Sequence, residues 1–467
     1  MSIEQKKVPE EFYTGRAILL ATVAALGGFL FGFDTAVVNG TVNAVRDQFE
    51  LSAGIIGFVV SSALLGCVAG AFIAGRLADK IGRIRVMMIA AALFFVSSVG
   101  CTFAFGTVDL IAWRMLGGLG VGAASVIAPA YIAEIAPASI RGRLGSLQQL
   151  AIVSGIFVAL LTNAWLAGLA GGAAQDLWFG LEAWRWMFFA EVIPAVAYGI
   201  LALTIPESPR YLVKIGRIKE AREALARILK TGIEDRLKDI AGTMKRETKS
   251  RFSDLRGPVL GFLPVVWIGM LLSMFQQFVG INVIFYYSSS LWQSVGFSEA
   301  DAMAQSVITS VVNISVTIVA ILLIDKIGRR RLLMIGSTGM FLCLGTMAWI
   351  FGNAPLVDGE PALSGATGVV ALIAANGFIV FFGMSWGPAV WVLLGEMFNN
   401  RIRGTALGMA AAVQWLANFT ISTTFPALSD LGLGIAYGLY TLFAFLSLVF
   451  VMKFVPETKG KQLEEME

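Results

Sequence analysis

The sequence predicts an all-α integral membrane protein of twelve transmembrane helices, arranged as two similar six-helix halves. Three observations predict it. Of 467 residues, 57% are hydrophobic and 14% charged, with a mean hydropathy of +0.78, whereas soluble domains carry about 25% charged residues. Apolar runs long enough to cross a bilayer, about 18 residues or more, recur along the whole chain. Short motifs of the first half return in order in the second.

The predicted spans are 17–38, 55–75, 85–105, 108–133, 145–169 and 185–205, then 259–288, 302–324, 332–352, 367–396, 405–427 and 434–455. They divide the chain into an N-terminal half (1–205), an intracellular linker (206–257) and a C-terminal half (258–467). The stretch before the first span, MSIEQKKVPEEFYTGR, is too polar for a cleavable signal, so the first helix is expected to stay as a span. The linker holds 14 Lys/Arg and 8 Asp/Glu. Within it, Ile218, Leu225, Ile228 and Leu229 recur at roughly helical spacing, which predicts short amphipathic helices beside the membrane; a plain solvated linker is the other reading.

Lys and Arg accumulate on the cytoplasmic side of membrane proteins. Arg46 and Arg185 fall at the opposite ends of spans and Arg114 inside one; the other 32 of the 35 lie in the termini, the linker and alternate loops. Twelve spans with both termini cytoplasmic fit that bias. DKIGR at 79–83 returns at 325–329, AEIAPASIRG at 133–142 is echoed by GEMFNNRIRG at 395–404, and PESPR at 206–210 by PETKG at 456–460. A parallel duplication explains the ordered set, and such repeats place a substrate site between the halves near the midplane.

The chemistry present is narrow. There is no histidine, and Cys67, Cys101 and Cys343 all lie in apolar segments. Neither a metal site nor a disulfide framework is expected, and no nucleophile elbow or phosphate loop appears. No enzyme, no cofactor and no nucleic-acid partner is therefore predicted. The exception to the apolar pattern is Asp34, inside FLFGFDTAVVNG. An ionisable group at membrane depth is costly and reads as functional. Arg114, beside GGLGVG in the fourth span, is its predicted ion-pair partner, a pair that forms in one conformation and breaks in another; a static brace is the plainer alternative. Gly118 and Gly122 make a small-xxx-small face for close helix approach. Glu191, in WRWMFFAEVIP, is either a second proton-binding group or an interfacial acid, depending on its depth.

Neutral amides and aromatics suit a polyol, which needs many donors and acceptors and offers apolar C–H faces. Gln276, Gln277 and Asn282 lie on the seventh span, with Gly280 between them predicting a bend that lets all three converge. Gln414 and Asn418 share one face of the eleventh span. Gln149 and Asn313 add amides from the fifth and eighth, and Trp391 follows the flexible WGP segment with Gly387 and Pro388. Taken one at a time, such amides also serve as interhelical glue.

FLFGFDTAVVNG, GRLADKIGRIR, RMLGGLGVG, PAYIAEIAPASIRGRLGSLQQL, PESPRYL, QQFVGINVIFYYSSS, DKIGRRRL, WGPAVWVLLGEMF, QWLANF and VPETKG appear in this order. With them the whole chain resembles the sugar porter branch of the major facilitator superfamily, in particular bacterial proton-coupled glucose and xylose symporters. The resemblance implies a monosaccharide substrate, protons as co-substrate, and a monomer in the bilayer of a bacterial cytoplasmic membrane. It implies proton coupling at Asp34 with Arg114, and assistance from Glu191. It implies sugar hydrogen bonds from Gln149, Gln276, Gln277, Asn282, Asn313 and Gln414, with weaker support for Asn418, packing by Trp391 and an apolar wall at Phe31. Tyr286 and Tyr287 resemble an outer gate, although interfacial anchoring would also suit them. Asp79, Arg83, Glu134, Arg141 and Arg143, repeated as Asp325, Arg329, Glu396 and Arg403, resemble a breakable intracellular salt-bridge network. Facilitative uniport is the close alternative, and a non-transporting sugar sensor a more distant one, disfavoured by short cytoplasmic tails.

Overall fold

The computed structural model describes residues 11–137, 140–246, 252–357, 360–363, 365–398 and 402–457. Among them, eleven helical segments are long and apolar enough to cross a bilayer: Thr14–Gly40, Ala53–Ile81, Arg83–Thr102, Thr107–Ile135, Leu144–Ala170, Ala183–Ala202, Pro264–Gln293, Glu299–Ala320, Arg329–Gly352, Gly365–Leu394 and Leu433–Phe454. One further helix, Arg403–Leu431, has the length of a span at 29 residues. Its amides Gln414 and Asn418 and its threonines lower its hydropathy, and it packs against Ala53–Ile81. It is the eleventh of twelve spans. Large apolar side chains such as Phe72, Phe105, Ile193, Trp349 and Ile373 stand exposed on the outside, where only lipid would accept them.

Three spans are broken. The sixth divides into Ala183–Phe189 and Val192–Ala202, the seventh into Pro264–Phe278 and Ile281–Gln293, and the tenth into Gly365–Gly383 and Trp386–Met397. The prediction of a bend at Gly280 holds, since this residue takes φ +86° and the Tyr440 ring lies 2.8 Å from where a Cβ would stand. Only glycine tolerates both conditions. The tenth span was expected as one helix; its break falls at Met384–Ser385, just before the WGP segment. The loops also carry three small antiparallel ribbons that hydropathy did not signal: Asp176–Trp178 with Leu181–Glu182, Arg256–Gly257 with Gly261–Phe262, and Leu356–Val357 with Glu360–Pro361.

The second and fourth spans touch backbone to backbone. A Cβ at Gly118 would lie 1.9 Å from Ala63 O, and one at Gly122 would lie 2.2 Å from Cys67 O. Gly66 and Gly70 answer from the other side, against Met115 O and Leu119 O. This is the small-residue face read from RMLGGLGVG, and it sets the depth and rotation of Arg114.

The linker forms helices Pro209–Lys214, Ile218–Ala226 and Ile233–Arg246. Leu225, Ile228 and Leu229 are buried as their spacing predicts, but Ile218 is 43% exposed. It opens its helix, and the inward positions are taken by Ala221 and Ala224. Arg222 donates to both carboxylate oxygens of Glu234 (2.6 and 3.2 Å), which holds that carboxyl below its ordinary range. Tyr131 ties the linker to the first half by donating to Pro206 O at 2.7 Å.

The motif repeats are structural repeats. Gly82 and Gly328 take φ +96° and +95° before the third and ninth spans. The carboxylate of Glu207, from PESPR, accepts the backbone N–H groups of Arg83 and Ile84. That of Glu457, from PETKG, accepts those of Arg329 and Arg330. Each acid thus satisfies orphan donors at a helix N-terminus.

Replacing Gly118 by Val forces a side chain into the Ala63 backbone, which has no room to shift. We expect a loss of about 1–3 kcal/mol or more, measured as a lower Tm in detergent. Gly75→Val, a position with open space around it, is the control and leaves Tm unchanged.

Candidate functional site

Asp34 and Arg114 face each other inside the first half. Arg114 Nη1 donates to Asp34 Oδ1 at 3.1 Å and to the Asp34 backbone carbonyl at 3.2 Å. Both side chains are 2% exposed. Gly117, one turn from Arg114, leaves space for the carboxylate: a Cβ there would come within 3.2 Å of Asp34 Oδ1. Asp34 Oδ2 and Arg114 Nε have no hydrogen-bond partner among the described residues. The guanidinium also lies over the Phe188 ring, 5.7 Å from its centre. The pair is neutral as a whole yet incompletely solvated by protein.

Glu191 stands at the break in the sixth span and is 1% exposed. It is enclosed by protein midway along that span. Ser98 Oγ donates to Glu191 Oε2 at 2.8 Å, while Glu191 Oε1 has no partner among the described residues. Asp34, Glu191 and Arg114 thus lie together among the most deeply buried charged side chains described in the first half.

The second half supplies the amides. Asn282 Nδ2 donates to Gln277 Oε1 across the Gly280 break. On an unbroken helix those positions would point about 140° apart. Gln276 Nε2 donates to Trp386 O (2.8 Å) and Gly387 O (3.3 Å), joining the breaks of the seventh and tenth spans. Pro388 follows in the same turn. Gln276 Oε1 and Gln414 Oε1 are buried without partners among the described residues. Asn313 is 8% exposed and its Oδ1 would lie 3.6 Å from a Cβ at Gly383. Gln149 is half-buried in the fifth span. Trp391 is 44% exposed, so the structure leaves its ring open. Phe31 meets Trp415 across the halves, with ring centres 5.6 Å apart.

Tyr286 and Tyr287 are buried, at 4% and 1% exposure, which rules out interfacial anchoring. Tyr287 donates to Ser422 O at 2.7 Å, and Asn418 Nδ2 donates to Tyr286 Oη at 3.4 Å. Asn418 thus serves the seventh–eleventh span contact. At the ends of the spans Arg83 pairs with Asp79 (3.3 Å) and Glu134 (2.8 Å), and Arg329 with Glu396 (2.8 Å). Each of these pairs lies within one half. The side chains of Arg141, Arg143, Asp325 and Arg403 fall outside the described residues.

Sequence reasoning missed Trp415, although QWLANF contains it, because the adjacent Gln414 drew attention. It missed Gln148, which is 8% exposed and lies flat on Gly28, its Nε2 2.6 Å from where a Cβ would stand. It also missed Asn39, whose Nδ2 donates across the halves to Phe285 O (3.0 Å) and Ser288 Oγ (2.9 Å). Ser61 and Thr423 share a 2.6 Å hydrogen bond between the second and eleventh spans.

Two broken helices converging amides on one interface, opposite a buried acid–base pair, describe a membrane carrier of small polar molecules. The profile described as "Sugar (and other) transporter" matches residues 20–467. The chain belongs to this sugar transporter family. It is a multi-pass membrane transporter with the all-α twelve-helix architecture of the major facilitator superfamily, and the family is one of transporters, not enzymes. The transporter is 57% identical over 451 residues to the "Glucose transport protein" of Synechocystis sp., covering 96% of each chain. It is 38% identical over 483 residues to the "D-xylose-proton symporter" of Escherichia coli K12, covering 96% of this chain and 94% of that one. Among solved structures it resembles the partially occluded inward-open conformation of the E. coli xylose transporter XylE, at 36% identity, TM-score 0.82, and 96% and 100% coverage.

Arg114→Leu leaves the Asp34 carboxylate alone in a dry interior. We expect a stability loss of about 3–5 kcal/mol, with most of it recovered by adding Asp34→Asn. A double-mutant cycle of detergent Tm values checks this; additive losses would show that the two side chains are uncoupled.

Proposed function

We propose that the protein is a proton-coupled monosaccharide symporter working by alternating access, with D-glucose the first candidate sugar and D-xylose the second. It acts as a monomer in a bacterial cytoplasmic membrane, both termini inside, with residues 1–205 and 258–467 as moving halves and 206–257 as their intracellular link. The observation that carries the reading is the Asp34–Arg114 pair, buried at membrane depth with one carboxylate oxygen unpartnered. The names of the Synechocystis and E. coli relatives support the substrate class and the coupled ion.

A carboxylate separated from its cation in a low dielectric is costly to keep charged. When the halves rearrange and the pair parts, Asp34 takes a proton from outside. Gln149, Gln276, Gln277, Asn282, Asn313 and Gln414 then hold the sugar hydroxyls, while Trp391, Phe31 and Trp415 supply apolar faces. The unpartnered Oε1 atoms of Gln276 and Gln414 are acceptors in wait. After rocking, sugar leaves inward, Asp34 releases its proton and Arg114 pairs with it again. Glu191 is a second proton holder in this reading. Ser98 Oγ lies 2.8 Å from both Phe94 O and Glu191 Oε2; one hydroxyl hydrogen cannot serve both, whereas a proton on Glu191 would let both contacts bond.

The closed outer seam and the resemblance to an inward-open structure support reading this conformation as inward-facing. Tyr286, Tyr287, Gly387 and Pro388 form the gates. When the inner side shuts, Arg83 and Arg329, joined by Arg141, Arg143, Asp325 and Arg403, exchange partners within their own half for partners across the halves. A single exposed pair is worth about 0–1 kcal/mol, so the network acts as a set.

One charge moving through 100 mV is worth about 2.3 kcal/mol and one pH unit about 1.4 kcal/mol, enough for several-hundred-fold accumulation. In proteoliposomes with an imposed pH gradient and potential, sugar is expected to accumulate while the outer medium turns alkaline. Asp34→Asn should abolish accumulation and spare counterflow exchange. Equilibration without proton movement would instead mark a facilitator. Gln277→Ala and Asn282→Ala should weaken sugar binding about two- to tenfold each, the worth of a neutral hydrogen bond, without changing the proton:sugar ratio.

A further inference from the structure

A cavity of about 110 Å³ lies at the outer seam between the halves, away from the amide cluster. Asn39, Asn43 and Asp47 line it from the first half, and Ser290, Gln293 and Glu299 from the second. Because one water needs ~10–15 Å³ on this scale, the volume suits a ligand of about ten heavy atoms, the size of a pentose. Along the seventh span, Asn282 and Ser290 are eight residues apart, which is about 12 Å of helix. Buried Tyr286 and Tyr287 stand between them.

The hydrogen bonds at this seam engage both N–H groups of Asn39 and leave one N–H each on Asn43 and Gln293. Asn39 Nδ2 serves Phe285 O and Ser288 Oγ, and Asn43 Nδ2 serves Gln293 Oε1. Ser290 Oγ donates to Asn43 Oδ1 and Gln293 Nε2 to Ser289 Oγ. Ala173 N–H reaches across to Glu299 Oε1 at 2.8 Å. Acceptors are left over: Asn39 Oδ1, Glu299 Oε2 and the Asp47 carboxylate accept no hydrogen bond among the described residues. No Lys or Arg lines the cavity. A wall rich in spare acceptors and carrying two carboxylates repels anions and suits a neutral molecule rich in O–H donors, since a charged acceptor makes the stronger hydrogen bonds.

We infer that this cavity is a second, outer monosaccharide site, separate from the central one. The inference rests on the symport reading only for its choice of ligand. Both halves build the site, so it exists only while the outer side is closed. A sugar bound there favours that closed state by its differential affinity, so high external sugar holds the transporter shut to the outside.

Equilibrium binding of labelled D-glucose and D-xylose to the purified full-length protein in nanodiscs tests this. We expect two classes of site. Asp47→Asn should weaken the lower-affinity class at least about fivefold and leave the higher-affinity class unchanged; Gln277→Ala should do the reverse. A single class at saturating sugar overturns the inference, as does an unchanged weak class in Asp47→Asn, or Asp47-dependent binding of Ca²⁺ in place of sugar. Two classes without proton movement in proteoliposomes would sink symport and leave the outer site standing. Symport with one class would do the opposite.

Discussion

The ion pair between Asp34 and Arg114 is the constraint on which the first half is built. Both groups are buried, and neither could remain charged in that interior without the other. Their meeting needs Arg114 at one depth and rotation, which the glycine contacts of the fourth span with the second impose. It also needs the gap at Gly117, where any side chain would crowd the carboxylate. The polypeptide thus devotes its tightest helix packing to holding one cation against one acid. A merely structural brace would be served as well by apolar side chains of similar volume.

The second half solves a different problem. A sugar needs polar groups at the midplane, yet a continuous helix hides its own backbone and spreads side chains around its axis. Breaking the seventh span at Gly280 turns Asn282 back toward Gln277. Breaking the tenth frees carbonyls at Trp386 and Gly387, and Gln276 takes both. Each break exposes polar backbone that the other helps to satisfy. Irregular backbone at this depth is tolerable only where protein or a hydrated cavity covers it.

Between these two regions the repeat gives each half the same bracing contacts. Glu207 and Glu457 cap equivalent helices, and Arg83 with Glu134 matches Arg329 with Glu396. Inter-half contacts such as those of Asn39, Asn43, Ser61 and Glu299 are individual hydrogen bonds. The inferred outer site belongs to this seam and would share its fate in each cycle.

Much was legible without coordinates. Hydropathy marks eleven of the twelve spans, because a bilayer demands about 20 apolar residues at a time. Asp34, Arg114 and Glu191 announce themselves as charges where charges are costly, and the ordered motifs declare the duplication. Gly280 signals a break because glycine between two amides has no other evident purpose. What stayed hidden depended on neighbours distant in sequence. No local pattern sets Trp415 against Phe31, Gln148 flat on Gly28, or Ser98 on Glu191, because those contacts are fixed by how whole helices rotate and slide. The burial of Glu191, Tyr286 and Tyr287, and the confinement of the Arg83 and Arg329 pairs to their own halves were likewise tertiary decisions. Hydrophobicity is a property of each residue and is written in the chain; the meeting of two polar side chains is a property of packing and is written only in the fold.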